Sequence, residues 1–334
     1  MRPVPVDPTG AAGPTKRQAA GAHWRQTSRG LFVPAQVVSS TRQRIVEAAG
    51  VLPEVGGVTG WAALHWWGAT WLDGTDHGGR STQLVDLATC YQDIRSQPGF
   101  EVCQERLGPD ELRVHRGIRL TTPIRSLFFA LRYAESLTSA VVIADMAAYA
   151  DVVSLAEATA YALAHPGWTG VPQAREALGL AEENSWSPRE SAFRMLWERA
   201  AGLPVPRCNP PVFDLRGNLI GAPDLLDVET GLAGEYAGAL HLEGHRLSRD
   251  LRRDELFRDH GLEPVTFLAG DLKDPAAVVR RLHRARDRAI AAGRPRLWTL
   301  ELPARWRPTH TVDLRRALDD EDRERLLAHR RQVA

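Results

Sequence analysis

The sequence predicts an α/β protein in which a mixed, mostly antiparallel sheet flanked by helices is preceded by a wing-bearing and helical N-terminal region. Three observations carry this reading. A capped amphipathic helix opens at Ser187-Pro188, three short apolar runs follow it across three-residue turns, and helical and apolar stretches then alternate. That order is helix, three strands, helix, strand, helix.

Along the chain, residues 1–14 are rich in Pro, Gly and Ala and read as a flexible leader. A wing-bearing region spans 15–120. It starts with a short helix at 15–22, and in the segment from Trp24 to Pro34 arginines and apolar residues flank Gly30 as in a small β-wing. A helix at 41–49, a Gly/Trp-rich stretch at 56–72, a strand at 83–87 and alternation around Gly117 follow. Trp61, Trp66, Trp67 and Trp71 are read as packing residues rather than a base-stacking platform. Residues 121–185 form a helical middle, with Ile124, Leu127, Phe128 and Leu131 at helical spacing and a second helix at 155–163.

The unit at 186–290 has the clearest pattern. Ser187 is an N-cap, Pro188 sits at the first helical position and Glu190 stands three residues after the cap. Phe193, Leu196, Trp197 and Ala200 form one apolar face, and Gly202 stops the helix. Runs at 212–215, 219–228 and 232–236 are separated by Arg216-Gly217-Asn218 and Glu229-Thr230-Gly231, turns short enough to impose an antiparallel meander. A helix at 247–260, a strand at 264–269 and a helix begun by Asp274-Pro275 complete the unit. A charged tail, 291–334, carries a strand at 297–302 and a helix at 314–331.

Composition narrows the function. The net charge is +1, so no global basic field announces nucleic acid, and any such binding must come from local patches. Lys16 and Lys273 are the only lysines; every other basic side chain is arginine. Cys90, Cys103 and Cys208 lie far apart without metal-site spacing and fit a reducing compartment. With no signal-like leader and no run of about 18 apolar residues, a cytoplasmic location and no membrane partner are expected.

Metal-assisted phosphodiester hydrolysis needs carboxylates converging on a divalent ion that polarises phosphate and acidifies a water. Adjacent antiparallel strands supply that geometry, since residues two apart share a face. Asp224, after Pro223, lies on the second strand, Glu235 on the third, and Glu190 on the helix that packs inward. Simpler roles compete: Glu190 is sufficient as a capping residue, and Asp224 as a solvating strand-edge residue. Glu235 sits among small and apolar neighbours, where an uncompensated carboxylate is costly.

In this order Glu190, Pro223-Asp224 and Glu235-Tyr236-Ala237 resemble the PD-(D/E)XK nuclease superfamily. Ser187–Ser191, Gly221–Leu225, Glu235-Tyr236-Ala237-Gly238 with His241, Arg249–Arg253 and Gly261–Val265 are similar to an actinobacterial group related to very-short-patch-repair endonucleases. The segment from Trp24 to Pro34 and Thr122–Phe128 resemble the AbiEi-like antitoxins of type IV toxin–antitoxin systems. The resemblance implies a nuclease-like domain at 186–290, a Mg²⁺ ion on Asp224 and Glu235, Glu190 as supporting acid and His241 as general base. It also implies DNA as partner and, through the N-terminal half, a cognate toxin. One position departs: where the superfamily carries Lys, or in close relatives Asp, this chain has Ala237.

Three functions follow from this: a Mg²⁺-dependent DNA endonuclease, a degenerate nuclease fold that binds nucleic acid, and an antitoxin-like regulator or protein-interaction module using the fold as scaffold. Arg25 and Arg29 in the wing, with Arg280, Arg281 and Arg284 on the last helix, are the candidate phosphate contacts. The arginines of 246–258 alternate with acids and read as a salt-bridged solvated face.

Overall fold

The computed structural model describes residues 1–75, 81–237 and 244–328, with the backbone alone for 244–251. It divides into two compact units, Met1–Leu180 and Ala181–Ala334. Both mix helices with short-stranded sheets. Among the described residues no helix is long and apolar enough to cross a membrane.

In the first unit, Trp24–Ser28 and Leu31–Pro34 form a hairpin through Gly30, whose positive φ of 77° suits the turn. Within the leader, Val4–Pro5 adds a third strand to this hairpin. The helix before it is one turn, Lys16–Ala19. A five-stranded sheet runs in the order Phe100–Cys103, Val85–Ala88, Gly57–Val58, Ile118–Thr121, Leu112–His115. The helical middle is present as Pro123–Arg132, Leu137–Tyr149, Leu155–Ala164 and Val171–Leu180. Helix Gly60–Trp67 buries Trp61 and Trp66, and the indole N–H groups of Trp61, Trp66 and Trp67 donate to the carbonyls of Leu84, His115 and Thr121. These indoles are committed to packing.

The second unit opens with helix Pro188–Met195, capped by Ser187 Oγ accepting from the Glu190 N–H, and continues as a π turn, Leu196–Ala200. Phe193 and Trp197 are fully buried; Ala200, expected inward, is exposed because the wider π turn rotates it off the apolar face. The expected strand 219–228 is two strands in two sheets. Leu219–Gly221 pairs with Val212–Asp214, while Leu225–Leu226 pairs with Leu232–Ala237 and with Arg207–Cys208. Pro223 lies at the break, where its missing N–H cannot continue a ladder.

Leu232–Ala237 is an inner strand of the four-stranded sheet, antiparallel to Leu225–Leu226 and parallel to Glu263–Leu268. Helix Gly244–Asp259 makes the crossover between the parallel strands, as such pairing requires. Alternation along the inner strand sends Leu232 and Tyr236 to one core, with Phe193, Trp197, Phe267 and Leu282. It sends Ala233 to the other, with Phe257, Leu262 and Trp298. Gly234 sets the spacing on the first side, because a Cβ there would stand 3.0 Å from Phe193 and 3.1 Å from Trp197. The long helix that closes the 186–290 segment, Pro275–Ala292, is capped by Asp274. The tail forms strand Trp298–Thr299 and two short helices, Val312–Arg316 and Asp320–Leu326, rather than one, since Asp319 caps a second start.

Candidate functional site

Asp224, expected on a strand, is a bend residue just before Leu225–Leu226; continuing the register that joins Leu225 to Gly234 and Leu226 to Ala233 sets it across from Glu235. Directly opposed residues share a face, here the side of the sheet on which Ala233 meets the crossover helix. Glu235 is 4% exposed and on an inner strand, not on a solvent face. By the same alternation Ala237 falls on the Glu235 face and brings no charge to it.

Asp224 Oδ2 accepts the Tyr236 N–H at 2.6 Å, and its carbonyl accepts the Asn209 N–H at 3.0 Å. Glu235 Oε2 accepts from Arg253 Nη2 at 2.6 Å. Glu190 reaches the cluster through Asn209. Its Oε2 accepts Asn209 Nδ2 and the Trp186 N–H, both at 2.9 Å, while Oε1 accepts Ser187 Oγ at 2.9 Å. The Glu190 carboxylate therefore does not close the reciprocal capping box with the Ser187 N–H, but it steadies the helix start and stands next to the acid pair.

Burial, and then the negative charges of Glu190 and Glu235, push the Asp224 carboxyl well above its ordinary range. The Tyr236 N–H and the Arg253 charge offset this only in part. Compared with protein-family models, with curated proteins and with solved structures, the chain matches none. What marks the site is its own geometry.

Among the described residues no three His, Cys, Asp or Glu side chains form a ready metal cage. A Mg²⁺ ion does not demand one, since it is usually bound by one or two carboxylates with waters and phosphate oxygens. Two opposed carboxylates in a cluster with excess negative charge fit that donor set. His241 lies outside the described residues.

Two site residues escape sequence reasoning. Arg253 belongs to the arginine-rich helix read as a solvated face, yet it pairs with Glu235. Asn209, 2% exposed and at a positive φ of 45°, links Glu190 to the Asp224 backbone. The only sequence signal for it is an asparagine just before Pro210-Pro211, a turn context that tolerates such a φ.

The candidate phosphate contacts divide. Arg25 is bound through both terminal nitrogens to Glu47, and Arg281 bonds Asp271 Oδ2 and the Thr266 carbonyl, each at 2.7 Å. Arg280 and Arg284 are exposed on the last helix, and Arg29 is exposed in the hairpin turn; among the described residues none of the three side chains has an ion-pair partner.

Proposed function

We propose that the second unit carries a nuclease-like, PD-(D/E)XK-type phosphodiester site that takes a divalent cation on Asp224 and Glu235. The observation that supports it is the position of Asp224, immediately before strand Leu225–Leu226, beside Glu235 on the neighbouring strand, with Glu190 tethered next to them. Two carboxylates and one guanidinium act on Asp224, an imbalance that a buried site relieves by taking up a proton or a cation. Asp224 and Glu235 would hold the ion, and Glu190 would fix Asn209 and thereby the Asp224 backbone. When bound, Mg²⁺ would polarise a phosphate oxygen and lower the pKa of a water. Titration calorimetry with Mg²⁺ and Mn²⁺ tests the reading: wild type should bind and Glu235→Gln should not. Plasmid nicking by the same pair then tests turnover. Absence of binding by wild type would sink the proposal.

Ala237 favours a second reading, in which the fold keeps its acids but not an efficient reaction and serves to bind DNA or, as an AbiEi-like antitoxin, a partner protein. That reading expects metal binding and DNA retention without nicking.

A further inference from the structure

Arg253 approaches the acid pair from the crossover helix, across the sheet face on which position 237 supplies only a methyl group. Its Nη2 lies 2.6 Å from Glu235 Oε2, within the range of a charge-assisted bond. Its side chain is 38% exposed, so part of the residue already faces solvent. Its Nε is buried and has no hydrogen-bond partner among the described residues, so the guanidinium retains unused donor capacity. A second polar group points the same way: Asn209, almost wholly buried, has a side-chain oxygen with no partner among the described residues. Buried polar groups left this way cost stability unless something else engages them.

A guanidinium at Glu235 Oε2 and a divalent cation on the same carboxylate repel each other, and the repulsion grows as the site is desolvated. We propose that Arg253 holds the place of the divalent cation at Glu235: the ion displaces it, and the released guanidinium then contacts a phosphate oxygen of the nucleic-acid substrate. This rests on the metal reading above. Arginine suits the second role, since its planar fork matches phosphate geometry and it keeps its charge when moved. The residue thus supplies, from a helix, a positive charge that the strand lacks at position 237. Without metal, Arg253 neutralises Glu235; with metal, it becomes available to substrate.

The test uses the full chain with three proteins, wild type, Arg253→Gln and Arg253→Lys, titrated with Mn²⁺ and then with a short DNA duplex. Removing a competing charge should tighten Mn²⁺ binding by Arg253→Gln about tenfold, whereas Arg253→Lys, which keeps the charge, should stay within about twofold of wild type. In saturating Mn²⁺ the Gln variant should bind the duplex more weakly than wild type, and without metal the two should bind it alike. If wild type binds Mn²⁺ and Arg253→Gln binds it no more tightly, the displacement idea is overturned while the metal site stands. If the duplex affinities differ equally with and without metal, release to phosphate is overturned. If none of the three proteins binds Mn²⁺, both the site and this role for Arg253 fall together. Thermal melts of all three establish that the comparison is between folded proteins; should the Gln variant not fold, tighter Mn²⁺ binding by Arg253→Lys overturns the proposal by itself.

Discussion

Glu105 in the first unit and Asp224 in the second are both acids among charged neighbours, and those neighbours drive them in opposite directions. Glu105 accepts from Arg125 Nη2, Arg132 Nη2 and the Tyr133 hydroxyl, each at 2.6 Å. Burial pushes its carboxyl up, but hydrogen bonds from Arg132, Tyr133 and Arg125 outweigh that and hold it at about 2. Trp168 stacks on both guanidinium groups, 4.7 and 5.0 Å from its ring centroid. Glu111 Oε1 also stands 3.4 Å from Arg125 Nε, so two acids meet two guanidinium groups and the protein balances these charges itself. Around Asp224 the acids outnumber the cation that acts on it. A buried charge cluster that the fold completes is a structural element; one left with surplus charge of a single sign is a place for a ligand.

Glu105→Gln should break the first half of this comparison most severely. Arg125 and Arg132 have side chains only 1% exposed and would lose their shared carboxylate. Arg125 keeps Glu111 at 3.4 Å, but Arg132 loses its carboxylate, and a buried charge left uncompensated costs roughly 3–5 kcal/mol, so urea denaturation should show the first unit destabilised by up to that order. The sign with pH follows from a depressed folded pKa. The contribution of Glu105 is fully present above its ordinary carboxylate range and is lost as pH falls towards about 2. The gap between wild type and Glu105→Gln should therefore narrow through that acid window; a gap that does not change there would mean that the ion pairs do not stabilise the fold.

Asp224→Asn should act in the other direction and more weakly. A carboxyl whose folded pKa is raised favours the unfolded state at neutral pH, where the unfolded side chain is ionised. The amide can still accept the Tyr236 N–H. Without metal the variant should be more stable by on the order of 1 kcal/mol, and it should lose Mn²⁺ binding. A loss of stability in Asp224→Asn would show that Asp224 is structural, like Glu105. Ala237→Asp sharpens the same contrast. It adds a carboxylate to the Glu235 face, so Mn²⁺ affinity should rise several-fold while metal-free stability falls slightly, by less than about 1 kcal/mol.

Much of this is legible in the sequence where a signal is local. Ser187, Pro188 and Glu190 fix the helix start, because capping uses adjacent residues. Alternation puts Glu235 and Ala237 on one face of their strand, whereas the inner position of that strand comes from its parallel pairing with Glu263–Leu268. The run 219–228 misleads because its apolar residues continue through Pro223, and periodicity does not reveal that the chain changes sheets there. Arg207–Cys208 is two residues long, too short for any pattern to register. Arg253 is hidden for a different reason. Its helix alternates arginines with acids, and which arginine turns inward depends on the neighbouring strand, which is a tertiary fact.

The smallest expected effect concerns the surface arginines, where paired and unpaired cations make the same comparison at the periphery. Arg25 and Arg281 are bound to Glu47 and Asp271, and Arg281 also lies over the Phe267 ring at 4.4 Å. Engaging phosphate would require each to give up a protein partner. Arg280 and Arg284 have none to give up among the described residues, and four-residue spacing places them on one side of helix Pro275–Ala292. If that side meets a nucleic-acid backbone, removing one arginine–phosphate pair should lower the salt slope of binding by about one unit. Arg280→Ala with Arg284→Ala should therefore flatten the slope by about two units, with little change between duplex sequences, since phosphate contacts position rather than specify. Arg25→Ala should leave the slope unchanged and weaken the first unit by less than about 1 kcal/mol. An unchanged slope in the Arg280/Arg284 variant would remove the last helix from the binding surface; a reduced slope in Arg25→Ala would show that an ion-paired arginine can still be recruited by phosphate.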